Sequence, residues 1–170
     1  MNAGSHDLPQ GIQWPAHYHP DVAPVHVRNE LFIPADISLV WAWLCRAPLW
    51  PTWYPNAHRV RAADGSRLGD LALGTVFRWT TFSVPIESRV LECVPQQRLA
   101  WDAKGMGLDA YHAWLLTPSK GGCIVLTEES QHGWGARLVN FLLPHRMWEG
   151  HDVWLRSLSI QCSKGKPPAI

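Results

Sequence analysis

The sequence predicts an α+β fold in which two short helices follow a first strand, further antiparallel strands bring the sheet to six or seven, and one long helix ends the chain. Three observations support this. Apolar and polar residues alternate along residues 25–33, turn-forming residues divide residues 57–131 into short segments, and apolar residues recur every three or four positions near the C-terminus. Alternation is typical of a half-buried strand, and the wider spacing is typical of an amphipathic helix. At 170 residues, one domain is expected.

The two short helices are predicted after the first strand. Pro34 ends that strand because proline has no backbone N–H to donate, and Asp36 is a candidate N-cap for the first helix. Apolar residues at helical spacing then form one buried face, namely Ile37, Val40, Trp41 and Leu44. The segment Trp-Pro-Thr-Trp-Tyr-Pro, residues 50–55, is predicted to begin the second short helix.

A second apolar stripe on the first helix, Leu39 and Trp43, requires a cover of its own. Residues 1–24 are rich in proline and glycine and lack any helical or strand period, so they are predicted to form an extended N-terminal arm. Trp14 and Tyr18 are the aromatic residues of that arm. We therefore expect the arm to cover the Leu39 and Trp43 stripe.

The remaining strands are predicted near residues 57–64, 75–80, 83–94, 97–103, 108–117 and 122–131. Their short connections favour antiparallel neighbours. The long helix is expected over about residues 135–162, with a kink or break at Pro144 because proline removes a helical hydrogen bond. The domain is thus expected to span residues 25–162, and residues 163–170 are expected to form a frayed tail.

Composition limits the classes of binding partner and the cellular compartment that we expect for this protein. A formal net charge of +1, with no cluster of five or more Lys or Arg residues, argues against a nucleic-acid partner. No apolar run reaches the ~20 residues of a membrane span, and no signal peptide is evident, so we expect a soluble cytoplasmic protein. The four cysteines are widely spaced and are expected to be free thiols. The oligomeric state stays open, with a homodimer among the possibilities.

Several short motifs lie over about residues 25–162. They are Ala35 to Leu44, Trp50-Pro51-x-Trp53, Leu73-Gly74-Thr75-x-Phe77, Val90-x-Glu92-x-Val94-Pro95, Leu99-x-Trp101 and His112-x-Trp114-x-Leu116-x-Pro118. In their order and spacing they resemble the START-like SRPBCC superfamily and its polyketide cyclase/dehydrase group. The resemblance implies a helix-grip fold, in which a curved antiparallel sheet wraps around the C-terminal helix and leaves a large apolar cavity between them.

Nine residues are candidates for binding a ligand in that cavity. They lie on elements that this fold would place around it, and rigid aromatic rings suit a flat apolar ligand. The alternative is that these side chains fill the space themselves. The candidates are Trp53, Tyr54, Phe77, Trp79, Phe82, Trp101, Trp114, Trp148 and Leu155.

Three histidines are candidates for proton transfer, since imidazole titrates near neutral pH. His112 alternates with Trp114 and Leu116 and is therefore predicted to face inward, whereas His145 and His151 lie on or beside the apolar stripe of the last helix. No H-E-x-x-H motif, cysteine pair or nucleotide-binding loop is present. Neither a metal nor a cofactor is therefore expected.

These observations leave three functions open. The first is binding of a hydrophobic small molecule, aromatic or polyketide-like, in the internal cavity. The second is a cyclase or dehydratase in which a cavity histidine transfers protons without a metal or nucleotide cofactor. The third is a ligand-free interaction module, similar to chaperone activators or antitoxins, for which the Leu39 and Trp43 stripe would provide an apolar surface.

Overall fold

The protein forms one antiparallel seven-stranded sheet with helices packed on its concave side, as described for residues 11–169 by a computed structural model. The sheet order is β1-β7-β6-β5-β4-β3-β2. The strands are β1 (Val25–Ile33), β2 (His58–Ala62), β3 (Val76–Thr81), β4 (Val84–Val94), β5 (Arg98–Gly105), β6 (Leu108–Ser119) and β7 (Gly122–His132). The predicted α+β helix-grip fold is confirmed.

Two short helices and a divided C-terminal helix are also present, but the second short helix ends within residues 50–55 instead of beginning there. Helix α1 (Ile37–Cys45) begins after Asp36, whose side chain accepts a hydrogen bond from the Ser38 backbone N–H at 2.8 Å. A 3₁₀ helix (Ala47–Thr52) follows it. The C-terminal helix is divided into α2 (Trp134–Leu142) and α3 (Arg146–Ser163), so the break predicted at Pro144 is confirmed.

The centre of the core is a cluster of aromatic rings between the sheet and α3. Trp50, from the 3₁₀ helix, is fully buried, and its indole N–H donates to the Leu44 carbonyl oxygen at 3.0 Å. The centroid of its ring lies 5.2 to 5.9 Å from those of four other aromatic side chains: Phe77, Trp79, Trp101 and Trp154. Much of the space enclosed by the sheet is therefore filled by the protein's own tryptophans.

The C-terminal tail, rather than the described part of the N-terminal arm, covers Trp43 in the second stripe of α1. Trp43 is buried, and its indole N–H donates to the Gly165 carbonyl oxygen at 2.7 Å. Arg46, which pairs with Asp70 at 2.8 Å, also donates to the Pro168 carbonyl oxygen. The predicted arm cover is wrong because the tail folds back over α1 at this position.

The described part of the N-terminal arm instead packs on the outer face of the sheet. The Tyr18 ring stacks on Tyr111 with centroids 5.5 Å apart, and its hydroxyl donates to Asp109 at 2.6 Å. Trp14 contacts the same Tyr111 ring. Because Tyr111 precedes the inward-facing His112 on β6, its side chain points outward and needs this cover.

The structure bears on two expectations from composition, the state of the cysteines and the presence of a membrane span. All four cysteines are free thiols, as predicted. Among residues 11–169, no helix combines the length and the apolar character that crossing a bilayer would require.

Candidate functional site

A cavity of about 160 Å³ lies between the concave face of the sheet, α2 and α3. Its walls are mostly aromatic and aliphatic, and a cluster of polar side chains forms one part of its surface. The aromatic lining residues are Tyr54, Trp79, Phe82, Trp101 and Trp154, and the polar cluster consists of His112, Glu129, Gln131 and His151.

The sheet register and α3 together assemble the polar cluster. His112 on β6 and Glu129 on β7 are directly opposite each other in the antiparallel ladder, so their side chains share the concave face. Helix α3 places His151 against them, with the His112 and His151 ring centroids 4.8 Å apart. Glu128, the neighbour of Glu129, faces the other side of the sheet, where its carboxylate lies 3.2 Å from Arg28.

The Glu129 carboxylate is the acceptor at the centre of this cluster. Its Oε2 atom lies 3.1 Å from His151 Nε2 and 3.3 Å from His112 Nδ1, and its Oε1 atom accepts a hydrogen bond from Gln131 at 2.6 Å. An ionised carboxylate can only accept, so His151 Nε2 carries the proton of its hydrogen bond to Glu129. The nearby negative charge disfavours a lone pair on His112 Nδ1, so the proton of His112 is placed on Nδ1, and Nε2 then accepts from the Thr127 hydroxyl at 2.7 Å.

Burial and hydrogen bonding set the charge states of the cluster. Burial lowers the pKa of His112, because the nearby Glu129 carboxylate only partly offsets the cost of a buried imidazolium. Burial alone would raise the pKa of Glu129, but hydrogen bonds from His151 and Gln131 and the electrostatic influence of the adjacent imidazole rings lower it below its ordinary value. At neutral pH, Glu129 is therefore ionised and His112 is neutral.

The same three side chains are a candidate metal-ligand set. One atom from each of His112, Glu129 and His151 lies within 4.8 Å of the others. A zinc-type ion ~2.1 Å from two imidazole nitrogens keeps them within ~4.2 Å of each other and needs both deprotonated. Because His151 Nε2 donates to Glu129, a metal could bind to these atoms only after that nitrogen loses its proton. Sequence spacing did not reveal this set, since its members come from three separate elements.

Phe82 closes one side of the cavity mouth in a constrained conformation. Phe82 and Ser83 form the two-residue turn between β3 and β4 and have positive φ angles of 49° and 69°, which favour Asn and Gly rather than Phe. A Cβ atom at position 150 would overlap the Phe82 ring, so Gly150 allows the ring to pack against α3. Arg146 lies over the same ring, 5.6 Å from its centroid.

Six of the predicted site residues line the cavity: His112, His151, Tyr54, Trp79, Phe82 and Trp101. Four others are buried in the core away from it, because the aromatic cluster occupies that space: Trp53, Phe77, Trp114 and Leu155. The prediction that His145 and Trp148 belong to the cavity needs correction. His145 precedes the first turn of α3 and Trp148 lies within it, and both side chains are exposed and outside the cavity lining.

Sequence reasoning missed two important members of the site. The sequence does not identify Glu129, because either of the adjacent Glu128 and Glu129 can face inward when the strand register is unknown. Trp154 lies three residues after His151 on the buried stripe of α3, and its ring stacks on Tyr54 with centroids 4.3 Å apart. That spacing was the signal that could have identified it.

Residues 24–147 match the protein family described as polyketide cyclase/dehydrase and lipid transport. The chain belongs to this family. A comparison with curated proteins found no match.

Several solved structures have the same fold. A hypothetical protein from Helicobacter pylori is 28% identical with a TM-score of 0.82, over 93% of this chain and 99% of that one. The di-domain ARO/CYC StfQ of the steffimycin biosynthetic pathway is 15% identical with a TM-score of 0.67, over 82% of this chain and 51% of that one. Norcoclaurine synthase from Thalictrum flavum is 14% identical with a TM-score of 0.61, over 79% and 91%. The last two likenesses concern the fold alone.

We predict that buried, neutral His112 makes this polyketide cyclase/dehydrase family member less stable in acid. An unfolded histidine takes up a proton below about pH 6.5, whereas folded His112 does so only near pH 3, so this part of the stability is present above pH 6.5 and is lost as the pH falls. The loss between about pH 7 and about pH 5 amounts to about 2 kcal/mol. Urea unfolding of the wild type and of His112→Gln at both pH values measures it.

The His112→Gln variant should lose that part of the pH dependence. His145→Gln is the matched control, because the His145 side chain is exposed, and it should keep the wild-type dependence. Equal pH dependence in His112→Gln and the wild type would contradict the assigned charge state.

Proposed function

We propose that the protein binds a small, flat, hydrophobic ligand of one or two rings, with a hydrogen-bond donor on the ligand directed at the polar cluster. The observation that carries this proposal is the combination of an aromatic-lined cavity with the Glu129 carboxylate at its surface, in a side chain that is only 13% exposed. The family description, polyketide cyclase/dehydrase and lipid transport, supports an apolar ligand.

The size of the cavity argues for a ligand smaller than an extended polyketide chain. An apolar cavity of about 150 Å³ is known to accept benzene, and the cavity here is about 160 Å³. The tryptophans that surround Trp50 account for the limited volume. A longer ligand would require Phe82 and the cavity mouth to move.

The charge of the cluster argues for a neutral or cationic ligand group. Glu129 is held as a carboxylate in a largely apolar setting, where a hydroxyl, amide or ammonium donor gains a charge-assisted hydrogen bond. A ligand carboxylate at the same position would be repelled. Aromatic walls also suit a cationic group through cation–π contacts.

We expect phenol and indole to bind at least about tenfold more tightly than benzoate. Replacing a small lining residue by a larger one, in Ala103→Leu, should fill the cavity and weaken indole binding by at least about tenfold. Ala72→Leu, at an exposed position, is the matched control and should bind as the wild type does. Isothermal titration measures the affinities and thermal unfolding verifies that each variant folds.

Undiminished indole binding by a folded Ala103→Leu variant would contradict the assignment of the cavity as the binding site. Tight binding of benzoate would contradict the role of Glu129. The interaction-module alternative predicts no small-molecule binding by the wild type, and the open cavity supports ligand binding over it.

A second candidate function is acid–base catalysis on the same ligand, and one observation favours it. His151 donates through Nε2 to Glu129, and within residues 11–169 its buried Nδ1 atom has no hydrogen-bond partner. A neutral imidazole with a proton on Nε2 has a free lone pair on Nδ1, and the carboxylate would stabilise the imidazolium formed by proton uptake. Because Nδ1 is closed to solvent, the His151 ring would have to turn toward the cavity before it could remove a proton from a carbon next to a ligand carbonyl group and return it after rearrangement of the enolate.

We predict that the protein accelerates the exchange of the acidic C–H protons of 2-indanone in D₂O, measured by ¹H NMR. His151→Gln should reduce the enzymatic rate to the background, and Glu129→Gln should reduce it at least about tenfold because the imidazolium loses its partner. His145→Gln should retain the wild-type rate. Binding of 2-indanone without acceleration would restrict the function to ligand binding.

A further inference from the structure

We propose that the exposed apolar surface around α2 docks on an anionic lipid bilayer, with the cavity mouth facing the lipid. This inference rests on the proposed function, because it supplies a route by which a hydrophobic ligand reaches the cavity. The surface, called the α2 surface below, consists of Met106, Trp134, Leu138, Phe141, Leu142 and Leu143.

The α2 surface is unusually apolar for residues in contact with water. Phe141 is 82% exposed, Trp134 is 64% exposed and Leu142 is 62% exposed. Only Ala136 on this helix is buried. A contiguous group of large exposed apolar side chains usually marks an interaction site.

The shape of the α2 surface favours a fluid partner. Phe141, Leu142 and Leu143 are consecutive, so their side chains project in different directions around the end of α2 instead of forming one flat face. A protein partner would need a matching surface for each of them, whereas the headgroup and acyl boundary of a bilayer adapts to any outline. Short amphipathic helices bind membranes in this manner.

The charges beside the α2 surface favour anionic lipid over a second copy of the chain. Residues 133–148 include Arg137 and Arg146 but no Asp or Glu, and the first acidic residue that follows is Glu149. A symmetric dimer through this surface would bring the arginines of the two copies together, which costs free energy. Anionic headgroups would instead neutralise both arginines.

The α2 surface is continuous with the mouth of the cavity. Met106 belongs to both, and Val139 and Met147 line the cavity next to the exposed residues. A bilayer that covers the α2 surface would therefore also cover the mouth. An apolar ligand would then pass from lipid to the aromatic walls without contacting water. Contact with water is unfavourable for such a ligand because it is hydrophobic.

Vesicle co-sedimentation of the full chain without ligand tests this inference. We expect binding to vesicles of equal parts phosphatidylglycerol and phosphatidylcholine, and at least about tenfold weaker binding to phosphatidylcholine alone. The double variant Phe141→Asp with Leu142→Asp should lose binding to the anionic vesicles. Leu73→Asp is the matched control, because Leu73 is 69% exposed outside the α2 surface, and it should bind as the wild type does.

Two results would overturn the inference. One is the absence of vesicle binding by the wild type. If light scattering then shows a dimer that the double variant abolishes, the α2 surface binds a second copy of the chain instead of lipid. The other is equal binding by the double variant and the wild type. Since no ligand is present, these results are independent of indole binding in solution, and failure of the proposed function would be recognised separately by the titration of indole.

Discussion

The Glu129 carboxylate, whose side chain is only 13% exposed, is the constraint around which the rest of the site is organised. A charge in a largely apolar setting is costly unless it is compensated, and here hydrogen bonds from His151 and Gln131 and the adjacent His112 ring do so. They come from three parts of the fold: His112 from β6, His151 from α3, and Gln131 from the same strand as Glu129. The cluster therefore ties the long helix to the sheet and also gives the cavity its chemical character.

The aromatic core determines how much room remains beside that cluster. The fully buried ring of Trp50 contacts side chains from β3, β5 and α3, so it fixes the distance between the sheet and the helix. The same rings occupy space that a larger ligand would need. An abundance of tryptophan, which first suggested a stacking site, thus has two effects: some rings form the wall of the cavity and others limit its volume.

The fold was largely predictable because local signals agreed with one another. Alternation identified β1, Asp36 capped α1 as expected, and Pro144 separated α2 from α3. The contacts of α1 were not predictable. Nothing in the local sequence shows that Trp43 donates to the Gly165 carbonyl oxygen in the C-terminal tail and is not covered by the N-terminal arm. Such long-range pairing depends on how the chain ends return to the domain.

The site was predictable only in part, for a related reason. The alternation of His112 with Trp114 showed which way His112 faces, but the partner of His112 depends on the register between β6 and β7. A shift of that register by one residue would have placed Glu128 opposite His112 and left Glu129 on the outer face. The cavity volume depends in turn on rotamers of many large side chains, which no sequence period encodes.

The central claim is that an ionised Glu129 accepts a hydrogen bond from His151 and lies beside a neutral His112 ring, and long-range ¹H–¹⁵N correlation spectra of the histidine rings test it most directly. The account predicts that His112 stays neutral from about pH 7 to about pH 5, with its proton on Nδ1, and that the neutral form of His151 carries its proton on Nε2. A His112 ring that titrates near pH 6.5, or that carries its proton on Nε2, would contradict it.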